Sequence, residues 1–381
     1  MFDFEPSDDQ RALVDVARRF VRERVTPIAA ECDRQSRFPV DVFEQAHAIG
    51  LVNCTLPADY GGPGLSDVDD SLITEEIAYG CTGIQTSFTA NTLGMTPIKL
   101  AGTSEQKKKY LGWLAREPVM VSYATSEPSM GSDVAGMQCR ATKDGAGGYV
   151  LNGTKQWITN GTLASFYVIF ATEDPALRHR GIGAFIVERS QPGVRPGRHE
   201  DKLGQRASDT AAVVLEDVHV PASQVLAPPG QGFKLAMETF NQTRPAIGAS
   251  ALGLTRRCLD ECVAYARERK AFGVPIAEHQ LVQAMLAEMT IRIEATSLLV
   301  RKAAWSLDRG LRDPVLSSCA KAYGADAAMQ SALDAVQIFG GYGYVKEFPV
   351  EKLMRDAKIL QIYEGTAQVQ RILIARSVLG R

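Results

Sequence analysis

A glutamate near the end of the chain stands where a carboxylate could act as a general base. Glu364 lies between an aromatic residue and a glycine, and apolar side chains crowd the preceding segment, Ile359 to Tyr363. Burial among apolar groups raises the pKa of a carboxyl group, which can then take a weakly acidic proton near neutral pH. Gly365 leaves the adjacent backbone open to close approach. The alternative is a surface glutamate that begins the last helix, where the helix dipole favours negative charge.

Two segments near the middle of the chain have residue types suited to a large phosphorylated cofactor. The run Thr125-Ser-Glu-Pro-Ser-Met-Gly-Ser-Asp133 combines hydroxyls with Gly and Pro, and the backbone amides of such a loop can bind phosphate. In Gln156-Trp-Ile-Thr-Asn160, the planar ring of Trp157 could pack against a planar cofactor. A turn between domains and a core tryptophan are the alternatives for these two segments.

Two segments of the last third could bind the same kind of ligand. Arg269, in Arg267-Glu-Arg-Lys-Ala-Phe-Gly273, could hold a pyrophosphate in bidentate fashion, or its cationic cluster could simply offset the dipole at a helix end. In Gln337-Ile-Phe-Gly-Gly341, the glycine pair could let the backbone approach a ligand, or it could terminate a helix.

Other site types find no support in the sequence. The chain has no Gly-x-Ser-x-Gly elbow, no His-Glu-x-x-His pair and no Gly-x-Gly-x-x-Gly opening a helix, so a serine hydrolase, a metal centre and a nicotinamide site are disfavoured. The seven cysteines are scattered, and Cys258 and Cys262 are expected to be buried thiols in a reducing, intracellular compartment. A net charge of −2 gives no reason to expect nucleic acid or an anionic membrane as a partner.

The elements that must position these segments form three blocks along the chain. With 381 residues, of which 45% are hydrophobic, the chain is long enough for two or three domains. Helical periodicity dominates residues 1–121, with a capping box at Ser7–Gln10 and helical stretches at 66–80 and 84–101. Residues 122–229 contain short apolar runs separated by Gly-rich turns and no intervening long helices, which predicts a compact antiparallel β domain.

The third block, residues 230–381, is predicted to be a helical bundle. Its expected helices are 232–270, 278–308, 314–338, 349–358 and 366–379. The predicted fold class is therefore α+β, with an N-terminal helical domain, a central antiparallel β domain and a C-terminal helical bundle. No apolar stretch approaches the ~18 residues of a membrane span, and the acidic N-terminus lacks a targeting pattern.

The candidate segments occur together and in an order that resembles the acyl-CoA dehydrogenase family, most closely its medium-chain members. The resemblance extends over essentially the whole chain. It is carried by Ser126-Glu-Pro-Ser-Met-Gly-Ser-Asp133, Trp157-Ile-Thr159, Gly204-Gln-Arg206, Arg269-Lys-Ala-Phe-Gly273, Gln337-Ile-Phe-Gly-Gly341 and the run from Arg355 to Arg371, which contains Tyr-Glu-Gly-Thr-Ala-Gln. Each motif is weak by itself, but the ordered set is specific.

The resemblance implies an FAD enzyme that assembles as a homotetramer, a dimer of dimers. FAD would lie between the β domain and the C-terminal bundle, with Ser126 near flavin N5 and its adenosine end reaching a neighbouring subunit. The residues implied in FAD binding are Tyr123, Thr125, Ser126, Gly131, Ser132, Trp157, Ile158, Thr159, Arg269, Phe272, His279, Gln280, Gln337, Ile338, Gly340, Gly341, Thr366 and Gln368.

For the substrate, the resemblance implies an acyl-CoA thioester of short to medium chain length. The implied binding residues are Ser132, Ser190, Phe240, Asn241, Thr243, Arg244, Tyr363 and Gly365. Glu364 would remove the α-proton while the β-hydrogen leaves as hydride to the flavin, giving a trans-2-enoyl-CoA. In the family, the backbone N–H of the base and a flavin ribityl hydroxyl stabilise the developing enolate. Electron-transferring flavoprotein is the implied electron acceptor.

The sequence departs from the family pattern at three positions. Ser126 replaces the usual Thr and keeps the hydroxyl, whereas Asn241 replaces an Asp and removes a charge beside the CoA-contacting Arg244. Thr89 lies where pocket-bottom residues set acyl length and leaves that length open. Alternatives on the same scaffold are an acyl-CoA oxidase and a dehydrogenase of branched or cyclic acyl-CoA, and a more distant one is a non-catalytic acyl-CoA-binding flavoprotein. The expected location is a bacterial cytoplasm, or the mitochondrial matrix after removal of a transit peptide.

Overall fold

The computed structural model describes residues 5–311 and 313–380. The first four residues, Arg312 and Arg381 lie outside the described residues. The predicted start of the N-terminal domain, residue 1, and the predicted end of the C-terminal bundle, residue 381, therefore lie outside them as well. The N-terminal part is helical. Its helices are α1 (Asp8–Phe20), α2 (Thr26–Gln35), α3 (Val40–Ala48), α4 (Asp67–Ala101), the single turn α5 (Ser104–Gln106) and α6 (Gly112–Arg116), with π-helical turns at Val21–Val25 and Lys107–Leu111.

Side-chain caps fix where the N-terminal helices begin. The capping box predicted at Ser7 and Gln10 is present, and Ser66 and Asp69 form a second one at the start of α4. The two helical stretches predicted at 66–80 and 84–101 are one continuous element in the structure. Cys81, at φ −164° and ψ 110°, breaks the helical backbone within it, so the gap in the sequence pattern marks a kink and not a loop.

The central part is an eight-stranded sheet, which follows the N-terminal helices and precedes the C-terminal helices along the chain. Its strands are β1 (Val121–Ala124), β2 (Arg140–Lys143), β3 (Tyr149–Thr159), β4 (Phe166–Thr172), β5 (Ile182–Glu188), β6 (Val194–His199), β7 (Thr210–Val220) and β8 (Val225–Ala227). The strand order is β6-β7-β3-β2-β4-β5-β8, with β1 also paired to β4. Most pairs are antiparallel as predicted, but β1 and β2 each run parallel to β4. These two parallel pairings depend on long connections that periodicity does not reveal.

The C-terminal part is the predicted helical bundle, and its helices start and end within two residues of the predicted limits. They are α7 (Gly232–Glu268), α8 (Gln280–Asp308), α9 (Pro314–Phe339), α10 (Val350–Leu360) and α11 (Ala367–Val378), with a small hairpin of β9 (Lys270–Ala271) and β10 (Val274–Pro275) after α7. Within the described residues, no helix combines the length and the apolar character that a membrane span requires.

The N-terminal and C-terminal helices pack directly against each other through α4 and α7. Gly253 allows the two helices to approach closely, because a Cβ atom added there would lie 2.2 Å from the carbonyl oxygen of Glu75. Ion pairs link the two helices at the same place. Arg256 Nη1, on α7, lies 2.6 Å from Glu75 Oε1 and 2.9 Å from Glu76 Oε1, both on α4. This contact fixes the middle of α7 against α4.

The start of α4 holds carboxylates that favour the protonated form, and this makes stability depend on pH. Burial and the neighbouring Asp70 and Asp308 raise the pKa of Asp67 to about 7, against an opposing effect of Lys99. A raised folded-state pKa means that the folded protein binds a proton more tightly than the unfolded chain, so stability falls as pH rises from about 4 to about 7.

We therefore expect Asp67→Asn to raise the midpoint of thermal unfolding at pH 8, because the amide mimics the protonated carboxyl. The difference from the wild type should shrink as the pH is lowered to 5. Thermal melts at both pH values test this, with Asp59→Asn, at an exposed position of the same domain, as the control. A variant midpoint at pH 8 equal to or below that of the wild type would contradict the prediction.

Candidate active site

Glu364 lies in a tight turn between α10 and α11 and not at the start of a helix. Its φ is +52° and that of Gly365 is +88°, so both residues have left-handed backbone. Such a conformation is uncommon for a residue with a side chain and is concentrated at functional sites. Thr366 begins α11 instead, because its side chain accepts a hydrogen bond from the N–H of Val369. The helix-start interpretation of Glu364 is therefore wrong.

Polar side chains from three helices surround this turn. Thr243 Oγ1, on α7, donates a 2.8 Å hydrogen bond to Glu364 Oε2. Lys321 Nζ, on α9, donates to the carbonyl of Gly365 at 2.8 Å. Gln370 Nε2, on α11, donates to the carbonyls of Glu364 and Gly365 at 3.2 and 3.0 Å. Arg244 Nε also approaches the Glu364 carbonyl at 3.4 Å.

Burial raises the pKa of Glu364, in the direction predicted from the sequence. The Thr243 hydroxyl and the positive charges of Arg244 and Lys321 act against this rise. Residues distant in sequence thus add a polar lining that the apolar sequence neighbours of Glu364 do not reveal. Burial also lowers the pKa of Lys321 to about 8, while the charge of Glu364 acts in the opposite direction.

Aromatic and polar groups connect this turn to the sheet. The Phe240 ring lies 5.3 Å from that of Tyr123, on β1, and 5.7 Å from the Arg244 guanidinium. Asn241 Oδ1 accepts a 2.9 Å hydrogen bond from Arg244 Nη1, so the residue that replaces the usual Asp still orients this arginine. The structure thus brings Tyr123, Phe240, Asn241 and Arg244 together around Glu364.

A second polar group lies beside Tyr363. Thr86 Oγ1, on α4, donates to Gln205 Oε1 at 2.8 Å and lies 3.5 Å from the Tyr363 hydroxyl. Directly before Thr86 on α4, Gln85 donates through Nε2 to Thr89 Oγ1 at 3.0 Å, and Ser250 donates to Gln85 Oε1. Thr89, at the position expected to limit acyl length, therefore has its hydroxyl hydrogen-bonded to Gln85 and to the carbonyl of Thr86.

The loop after β1 and a bulge in β3 form one continuous surface. The Gln156 N–H donates to the Ser126 carbonyl at 2.9 Å. Between Lys155 and Ile158, β3 has one residue more than β7, and this bulge places Trp157 at φ +61° with 62% of its side chain exposed. Thr125 Oγ1 is buried there without a hydrogen-bond partner among the described residues. The two joined segments thus carry an exposed indole and an unsatisfied hydroxyl, groups that a planar polar ligand would complete.

A buried ion pair anchors this loop from below. Lys155 Nζ donates to Glu127 Oε1 at 2.8 Å and to the Thr125 carbonyl at 3.2 Å, and both charged side chains are almost completely buried. The second Glu127 oxygen accepts from the Gln138 N–H at 2.7 Å, and the first also accepts from the Cys139 N–H at 2.9 Å. The carboxylate is thus fully hydrogen-bonded, which a buried charge requires.

The remaining predicted cofactor residues of the C-terminal bundle form a separate cluster at the far end of α7. From Arg244 to its last residue, Glu268, the helix rises roughly 36 Å at about 1.5 Å per residue. The Arg269 guanidinium lies 5.4 Å from the Tyr342 ring, and the Phe272 side chain is 97% exposed. The other predicted residues of this end are His279, which precedes α8, Gln280, Gln337, Ile338, Gly340 and Gly341.

The other predicted residues divide by exposure. Ile158 is buried, and Thr159 offers its carbonyl to the Ser122 hydroxyl at 2.8 Å. Gly131, Ser132, Ser190 and Gln368 are exposed. Among the described residues, no hydrogen bond links Ser190 to the Glu364 turn.

Sequence reasoning missed two residues that hold the Glu364 turn, Lys321 and Gln370. A signal for Lys321 exists, because it is the one charged residue in Cys319-Ala-Lys-Ala-Tyr-Gly324 and lies four residues after Ser317 and three before Gly324, on the face that the bundle buries. A lysine on the buried face of a helix of small residues points to a specific partner.

Comparison with known proteins finds the same three parts in the same order along the chain. Residues 7–118, 122–218 and 230–379 match the acyl-CoA dehydrogenase N-terminal, middle and C-terminal domains. A probable medium-chain specific acyl-CoA dehydrogenase 2, mitochondrial, of Caenorhabditis briggsae is 44% identical over 99% of this chain and 92% of the relative. The chain belongs to the acyl-CoA dehydrogenase family.

Solved structures agree with the family assignment. Butyryl-CoA dehydrogenase from Megasphaera elsdenii superposes with a TM-score of 0.96 at 37% identity, covering 99% of this chain and 100% of that one. The FAD complex of PigA superposes with a TM-score of 0.93 at 29% identity, covering 99% of both chains. As a member of the acyl-CoA dehydrogenase family, the protein is an FAD-dependent oxidoreductase.

Proposed function

We propose that the protein oxidises a saturated acyl-CoA thioester to the trans-2-enoyl-CoA, with Glu364 as the base that removes the α-proton. The α and β C–H bonds break, a Cα=Cβ bond forms, the proton passes to the Glu364 carboxylate, and two electrons leave with the β-hydrogen. The single observation that carries this proposal is the partly buried carboxylate of Glu364 in a left-handed turn, where desolvation raises its pKa. A base with a raised pKa retains more of the driving force needed to take a weakly acidic proton.

Removal of an α-proton also requires stabilisation of the negative charge that develops on the thioester oxygen. The Glu364 N–H donates no hydrogen bond to any residue in the described part of the chain, so it is free to donate to a ligand. Its carbonyl, by contrast, is held by Arg244 and Gln370. We propose that this fixed peptide presents the N–H to the thioester oxygen, as the resemblance to the family implies.

The residues that would hold the flavin fit a planar polar ring. We propose that Tyr123, Thr125, Ser126, Gly131 and Ser132 contact it from the loop after β1, and that Trp157, Ile158 and Thr159 contact it from the bulge in β3. The unsatisfied Thr125 hydroxyl and the exposed Trp157 ring support this assignment. When bound, FAD accepts the β-hydrogen as a hydride. Thr366 and Gln368, at the start of α11, would complete the site.

The cluster at the far end of α7 is proposed to bind the adenosine and pyrophosphate portion of a cofactor held by an adjacent subunit. Roughly 36 Å of helix separates it from the Glu364 turn. The open space around the backbones of Gly340 and Gly341 and the exposure of Phe272 support a ligand or partner at this surface. This arrangement requires an oligomer, and the proposed state is a homotetramer.

For the substrate, we propose a short- to medium-chain acyl group. The CoA portion would contact Ser132, Ser190, Phe240, Asn241, Thr243, Arg244 and Gly365, with the acyl chain next to Tyr363. The butyryl-CoA and medium-chain relatives support this range, and the hydrogen-bonded pair Gln85 and Thr89 would bound the chain. Electron-transferring flavoprotein is the proposed acceptor of the two electrons.

The experiment that tests the proposed function is anaerobic addition of acyl-CoA thioesters to the purified holoenzyme. We expect loss of the visible flavin absorbance with butyryl-, hexanoyl- or octanoyl-CoA, followed by its recovery on addition of electron-transferring flavoprotein. A spectral shift without bleaching for the whole panel, including branched and cyclic thioesters, would indicate binding without catalysis. Peroxide formation in air at the rate of turnover would favour the oxidase.

A further inference from the structure

Three side chains, each on a different helix, hold the two carbonyl groups of the turn that contains Glu364. Arg244, on α7, is 4% exposed, and Lys321, on α9, and Gln370, on α11, are completely buried. Lys321 and Gln370 donate to the same acceptor, the Gly365 carbonyl, at 2.8 and 3.0 Å. Arg244 already has a role in the proposed substrate site, whereas the proposed function assigns no role to the buried polar groups of Lys321 and Gln370.

Lys321 has no ion-pair partner that would explain its burial. Among the described residues, no carboxylate oxygen lies within 4.0 Å of its ammonium group, and its one hydrogen bond is to the Gly365 carbonyl. The charged groups that face it are Glu364, Arg244 and Asp326, from the turn, α7 and α9. Burying an ammonium group without a paired carboxylate is costly, and a methionine of similar volume could fill the same space.

We propose that Lys321 is a positioning residue for Glu364, holding the turn through the Gly365 carbonyl and favouring the ionised form of the base with its charge. Gln370 donates to the same carbonyl but carries no charge. Comparing the two residues therefore separates the effect of holding the turn from the effect of the charge. The inference rests on the proposed role of Glu364 as the base.

The two contributions have different pH signatures. The positive charge of Lys321 lowers the pKa of Glu364, against the larger effect of burial. Burial brings the pKa of Lys321 itself to about 8, so the charge is present at and below neutral pH and is lost as pH rises through about 8. Removing that charge raises the pKa of Glu364 and shifts the acidic limb of the pH–rate profile to higher pH.

The experiment compares Lys321→Met with Gln370→Leu in the holoenzyme. Flavin reduction by octanoyl-CoA, or by whichever thioester bleaches the wild type fastest, is followed by rapid mixing from pH 5.5 to 8. We expect Lys321→Met to slow reduction about 10- to 100-fold at pH 7, since misplacement of a catalytic group by about 1 Å can cost about 100-fold. Its acidic limb should move to higher pH. Gln370→Leu should slow reduction with the limb unmoved, and substrate affinity should change less than about threefold in both, because Arg244 remains.

The ratio of FAD to protein and the unfolding midpoint are measured in parallel. The electrostatic role would be overturned if the acidic limb of the pH–rate profile of Lys321→Met coincided with that of the wild type. An equal shift of this limb in Gln370→Leu would overturn it too. If Lys321→Met does not bind FAD, Lys321→Gln, which keeps a donor and removes the charge, gives the same test of the limb. Failure of the wild type to bleach would instead refute the proposed function, and so the two failures are distinguishable.

Discussion

Glu364→Gln is expected to slow flavin reduction by acyl-CoA roughly 10²- to 10⁴-fold while the protein keeps its flavin and its fold. The amide removes the basic oxygen but preserves the volume of the side chain. Its oxygen can still accept the hydrogen bond from Thr243, which is 2.8 Å long in the wild type. The left-handed backbone of the turn is held by the carbonyl contacts of Lys321 and Gln370, which the substitution leaves intact.

Anaerobic single-turnover measurements of flavin bleaching separate this effect from binding. Because the contacts of Arg244 and Phe240 are unchanged, the variant should bind a substrate with an affinity close to that of the wild type, seen as a shift of the flavin spectrum. Glu347→Gln, at an exposed position of the same domain, is the matched control and should reduce its flavin at the wild-type rate. Reduction of Glu364→Gln within about threefold of the wild type would assign the base to another group.

Lys155→Met is expected to destabilise the protein and weaken its hold on FAD. The ammonium group neutralises Glu127 and holds the Thr125 carbonyl, and both charged side chains are buried. Removing one partner leaves the Glu127 carboxylate buried without a countercharge, a change that costs about 3–5 kcal/mol in other proteins. The loop after β1 would lose its anchor at the same time, and this loop carries most of the proposed flavin contacts.

The measurements are urea unfolding and the FAD retained after gel filtration. Lys143→Met is the matched control, since that lysine pairs with Glu173 at 3.6 Å on the surface and should contribute less than about 1 kcal/mol. Adding Glu127→Gln to Lys155→Met should recover part of the loss, because the uncompensated charge is gone. Wild-type stability and FAD content in Lys155→Met would show that the pair does not support the loop.

Much of the fold was predictable because local signals agree with the tertiary arrangement. The capping box at Ser7, the limits of the five long C-terminal helices and the break at Gly340 follow from periodicity and from residues with strong terminal preferences. The sheet was predictable as a set of strands but not in its pairing, because the parallel neighbours β1 and β4 are more than 40 residues apart. Nothing in a local window specifies which distant strand a strand will meet.

The sequence by itself determined the family, the reaction class and the identity of Glu364 as the candidate base, because ordered motifs encode residue types that this chemistry requires. Only the tertiary structure decided the surroundings of that base. The sequence neighbours of Glu364 are apolar, yet its side chain and backbone contact Thr243 and Arg244, on α7, and Gln370, on α11, while Lys321, on α9, holds the carbonyl of the next residue, Gly365. The pKa of a buried carboxylate depends on charges and donors within a few ångströms in space, and chain folding, not adjacency in sequence, sets those distances.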